Sequence, residues 1–143
     1  MLGRKDYTRE EIDQAKKAVD QQLAAYKKLV KAVDAATSDP KVAAAREAFE
    51  PLFFNNLTLA LDRHFVHRVR AVAGKDGNAL NEVELLSESL MNNNGIMIGS
   101  NVIMYVPDAA VAKTRIGDRI RLSGEQFERL AKAFFAEIES KFS

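Results

Sequence analysis

The residues best suited to chemistry are His64 and His67, the only histidines in the chain. On a helix, positions three apart share a face, and two imidazoles there can hold a transition metal once a carboxylate joins them from elsewhere. The spacing is not that of the zinc proteases, which set two histidines four apart with a glutamate between. Surface or half-buried imidazoles are the plainer expectation, and metal binding by His64 and His67 the sharper one.

A basic stripe overlaps the histidines. Arg63, His67 and Arg70 stand at i, i+4 and i+7, one side of a helix, with Arg68 and Lys75 nearby. Lys113, Arg115, Arg119 and Arg121 follow later, against Asp118 alone. Brought together, segments 63–75 and 113–121 would bind phosphate, a small anionic ligand or nucleic acid, with Arg63, His67 and Arg70 as the candidate ligand-binding residues. The net charge of only +1 favours a solvated face instead. Apart from Phe65, no aromatic residues interleave the arginines to stack bases, so nucleic-acid binding is the weakest of these readings.

Other motifs fail on their own chemistry. Counted from Asp76, a calcium loop would need an oxygen ligand where Leu80 stands and a glutamate where Ser87 stands. Gly95 to Asn101 lacks both the lysine of a phosphate loop and the third glycine of a dinucleotide turn. Asn56-Leu57-Thr58 matches a glycosylation sequon but falls in an apolar helix. Glu84 and Glu88 share a face, yet the E-x-x-H pattern of helical carboxylate metal sites is absent, so Glu82, Glu84 and Glu88 read as solvated acids.

Composition frames these candidates. A chain of 143 residues, 47% hydrophobic and 29% charged, suits one globular domain over residues 1–143. The absence of cysteine removes disulfides, thiolate metal sites and cysteine nucleophiles. The N-terminal residues lack a secretory apolar core, and no apolar run nears the ~20 residues of a membrane span. These points favour a soluble cytoplasmic protein, and no cofactor is implied.

The positioning elements follow from periodicity and caps. Thr8 with Glu11 forms a capping box, and Ile12, Val19, Tyr26 and Val33 recur every seven residues, which predicts a long helix to about Ala36. Thr37 to Pro40 closes that helix and opens a second, running to about Ala73 and kinked or broken at Pro51. Around Pro51 this helix is apolar nearly all round, as a central or interface helix would be. The short connection favours an antiparallel hairpin of the two. A third helix runs from about Ala79 to Met91, stopped by Asn92 to Gly95, and the capping box of Ser123 and Gln126 starts a last one. Between them, Ile96 to Ile98 and Val102 to Val106 read as a β-hairpin, Asp108 to Lys113 as a helical turn, and Ile116 to Leu122 as a half-exposed strand. The expectation is a mainly α helical bundle led by a long antiparallel hairpin, with a small β-hairpin element before the C-terminal helix.

The stretch RHFVHRVRAVAGKDGNALNEVELL, from Arg63 to Leu86, resembles small uncharacterised bacterial helical proteins, and the C-terminal IGDRIRLSGEQFERLAKAFFAEIESKF extends the likeness. The resemblance implies a bacterial, stand-alone protein and no activity.

More apolar helix surface is present than two helices can cover between them, and other helices with a second copy would cover the rest. The leading functional expectation is therefore a non-enzymatic protein that self-associates as a homodimer and binds a partner or small ligand. The alternative is a metal or anion pocket, with catalysis open to it, at His64, His67, Arg63 and Arg70.

Overall fold

A computed structural model describes residues 3–143 and is mainly helical. Helix α1 spans Arg9–Ala36, α2 Pro40–His64, α3 Arg70–Ala73, α4 Ala79–Asn92 and α5 Gly124–Phe142, with a single 3-10 turn at Pro107–Ala109. No described helix is long and apolar enough to cross a membrane.

The caps act as their sequences imply. Thr8 accepts the Glu11 amide at 3.1 Å and Glu11 returns to the Thr8 amide at 2.8 Å. Ser123 and Gln126 repeat the exchange at the start of α5. Asp39 caps α2 through the Lys41 amide, and Asn78 caps α4 through the Asn81 amide.

The core lies where α2, α4 and α5 meet. Phe54, Leu61 and Phe65 from the second helix and its end pack with Leu80 and Leu86 of α4 and with Phe127, Phe134 and Phe142 of α5. Ring contacts Phe54–Phe127 and Phe65–Phe134, with centroids 5.9 and 5.7 Å apart, tie α2 to α5. The helical bundle is therefore not led by a long hairpin of the first two helices. The second helix packs most broadly on α4, while α1 touches α2 and α5 over smaller areas. The first helix buries Ile12, Ala15, Val19 and Leu23, but its seven-residue stripe leaves the core after Tyr26.

The second helix departs from expectation at its middle and at its end. It runs unbroken through Pro51. The Glu47 carbonyl loses its helical donor there, but Glu47 is exposed and solvent can substitute. The break comes after His64 instead of within reach of Ala73. The N-terminal segment causes it. Arg4 donates its amide to the His67 carbonyl and accepts from the Val69 amide, and the Tyr7 hydroxyl takes the Val66 carbonyl at 2.8 Å. These bonds occupy backbone groups that a continuing helix would need. Gly3 permits the approach, because a Cβ there would stand 2.5 Å from the Val69 side chain.

The expected β-hairpin does not form, and no strand exists among the described residues. Gly95 to Met97 instead meets Gly117 to Ile120, giving only an isolated bridge between Ile96 and Arg119. The intervening chain is held by side chains reaching from the helices. Asn55 donates to the Ile120 carbonyl at 2.8 Å and accepts the Leu122 amide at 3.1 Å, as a neighbouring strand would. Ser89 accepts the Ile98 amide, and Glu82 accepts those of Val111 and Ala112. The β-prone residues Met97, Ile103, Ile120 and Leu122 are buried one by one against the helices instead of in a sheet.

Candidate interaction surface

The structure does not bring the histidine and arginine candidates into one site. With α2 ended at His64, His67 sits in the following turn at φ 64, and the pair no longer shares a helical face. Both histidines are exposed. No group of three or more His, Asp or Glu side chains arranged to hold a metal occurs among the described residues. Arg70 lies on α3, where it binds Asn81 at 2.7 Å and pairs with Glu84. Arg68 is nearly shut off from solvent, pairs with Asp62 at 2.9 Å and lies over the Phe134 ring. Of the expected stripe, the Arg63 and His67 side chains stay exposed and form no hydrogen bond or ion pair among the described residues.

The second basic segment stays apart from the first. Arg115 pairs with Asp108 at 3.1 Å, and Arg119 donates to the Asn94 carbonyl. Arg119 and Arg121 line a groove of about 500 Å³ beside Ala48, Pro51 and Leu52. Arg63 lines a different groove of about 440 Å³, with Asn56, Leu59, Ser87 and Met91. The stretches do not merge into one anionic-ligand patch.

Glu82, expected among the solvated acids, is instead fully buried. Its sequence signal was its place on the stripe Ala79, Glu82, Leu86 and Ser89, all four of which are buried. Burial pushes its carboxyl upward, and the two amide bonds pull it partly back. Tyr26 is another perturbed group. Its hydroxyl bonds Glu50 in a cleft of about 520 Å³ between α1, α2 and the start of α5. Burial and the adjacent carboxylate push its ionisation far upward.

What the helices do assemble is a surface. The second helix carries two apolar stripes on opposite sides. Phe54, Leu57 and Leu61 face the core. Val42, Ala45, Phe49 and Leu52 face solvent, with Leu52 69% exposed and Phe49 48% exposed. The outer stripe continues through exposed Asn56 to half-buried Leu59. Its spacing alternates three and four residues, the repeat of a helix seam awaiting another helix. Aromatic stacking stiffens one flank, where Tyr26 of α1 lies 5.0 Å from Phe53 and Phe53 lies 5.7 Å from Phe49. Met91, 67% exposed at the end of α4, shares a groove with Asn56 and Leu59 and widens the apolar area there.

Compared with protein-family models, with curated proteins and with solved structures, the chain matches none.

Proposed function

We propose that this protein works by binding through a surface, not by catalysis, and that it self-associates as a homodimer across the outer face of α2. The observation that carries this reading is the second apolar stripe of that helix. An apolar row of heptad spacing on a solvent face leaves exposed area that a partner helix would remove from water, at about 25 cal/mol per Å². Contiguous exposed apolar surface of this kind marks interaction sites more than stray surface leucines do. Sedimentation velocity of the purified full chain across a wide concentration range tests it. A concentration-dependent dimer is expected, and a strict monomer at the highest concentration would remove the reading.

A second reading rests on Ser87. Its hydroxyl is buried with no hydrogen-bond partner, and the residue lines the groove that holds Arg63. A small carboxylate or phosphate at Arg63 could take that bond. Thermal shift with acetate and phosphate at constant ionic strength tests it. A response abolished by Arg63→Gln supports it, and no response at tens of millimolar would exclude it.

A further inference from the structure

Resting on the self-association proposed above, we infer that the second copy lies antiparallel along α2, with the two-fold axis between Phe49 and Leu52, so that each chain's Asp39 meets the other's Arg63. The argument is one of register. Val42, Phe49 and Asn56 fall at the first apolar position of the heptad, and Ala45, Leu52 and Leu59 at the fourth. Antiparallel helices place the first kind opposite the fourth. With the axis between residues 49 and 52, Phe49 faces Leu52 of the other copy, Ala45 faces Asn56, and Val42 faces Leu59. All three layers close at once. Asn56, the one polar member, then faces the smallest residue of the stripe, where its amide keeps access to water.

The charges at the ends choose the same arrangement. Among the described residues Arg63 and the Lys41 ammonium have no acceptor, and the capping bond of Asp39 uses one of its two carboxylate oxygens. The antiparallel register brings Arg63 beside the other copy's Asp39 and Lys41 beside its Asp62. Asp62 is already bound to Arg68 but keeps 30% of its side chain exposed. A parallel pair would instead set Lys41 beside Arg46 and Arg63 opposite its own copy, like charges on both counts. Asn56 alone would suit the parallel pair, where two amides could meet, and the end charges outweigh it.

The chain has no cysteine, so introduced thiols report the register without background. Val42→Cys and Leu59→Cys are made singly and together, checked by circular dichroism, oxidised and separated under non-reducing conditions. Within one helix these positions lie about 26 Å apart, too far for an internal disulfide. The double variant is expected to form a covalent dimer, while each single variant stays uncrosslinked. A covalent dimer from Val42→Cys alone would show a parallel pair and overturn the inference. A sedimenting dimer in which no variant crosslinks would overturn the register while leaving self-association standing. A wild-type monomer would fail the underlying reading instead. Asp39→Asn, which keeps the helix cap, and Arg63→Gln are each expected to weaken the dimer about five-fold, and together no more than either alone. Additive losses would show that the two side chains do not meet.

Discussion

Glu82 on α4 holds the amide of Ala112 at 2.8 Å from a position with no solvent exposure, and its other oxygen takes the Val111 amide at the same distance. A carboxylate so placed carries both a structural load and a pH dependence. Burial raises its pKa above the ordinary 4.5, so the folded chain binds that proton more tightly than the unfolded one. Its contribution is complete below the ordinary value and is lost as pH rises through the raised one. Tyr105, pushed up to about 12 first by burial and then by the Glu82 charge, faces the same site.

Glu82→Gln removes this titration and leaves one of the two amides without its acceptor, at a cost of about 2 kcal/mol. Thermal melts of both proteins from pH 4 to 8 check it. The wild-type advantage is expected to shrink as pH rises, and a constant gap would show that Glu82 does not titrate with folding.

Asn55 supplies a donor and an acceptor to one extended segment. Asn55→Ala is expected to cost about 2 kcal/mol in urea denaturation and to expose the Leu122 amide to hydrogen exchange. Unchanged protection at Leu122 would contradict the clamp.

His67 occupies a left-handed conformation at φ 64, which costs an L-residue more than it costs glycine. His67→Gly is expected to stabilise the protein by about 0.5 kcal/mol, and His67→Val to destabilise it. Chemical denaturation of the two variants separates this backbone role from any role of the imidazole.

Leu52 is mostly exposed in the single chain, so Leu52→Glu should leave the circular dichroism unchanged and, at concentrations low enough for both proteins to be monomeric, move stability by no more than about 0.5 kcal/mol. The same variant should sediment as a monomer where the wild type does not. An equally dimeric variant would place the interface elsewhere.

The helices with local signals were legible in the sequence. Thr8, Asn78 and Ser123 announce their starts within three residues of the groups they cap, and the apolar profile around Pro51 marks α2 as a helix with more than one apolar side. What misled was non-local. The end of α2 depends on Arg4, some sixty positions earlier, and no periodicity around His64 records it. The histidine and arginine candidates assumed a helix that continued, so their common face vanished when it stopped. The β-prone runs looked like a hairpin because their residues are buried, but burial is silent about what satisfies the backbone. Here Asn55, Glu82 and Ser89 do so from the helices. The charge of Glu82 points to solvent, while its place on the α4 stripe with Ala79, Leu86 and Ser89 points to the core, and the place prevails.

Those clamps also set an order of events. Residues 93–122 have no ladder of their own, and Asn55 reaches Leu122 across 67 positions. Such a segment can settle only after α2 and α4 already stand side by side, because the groups that receive it do not exist as a surface before then. It should be the last part of the chain to condense. Its clamps would then be absent from the folding transition state, so Asn55→Ala and Glu82→Gln should speed unfolding while leaving the folding rate nearly untouched. The helices would thus govern how fast the protein forms, and this segment how long it lasts.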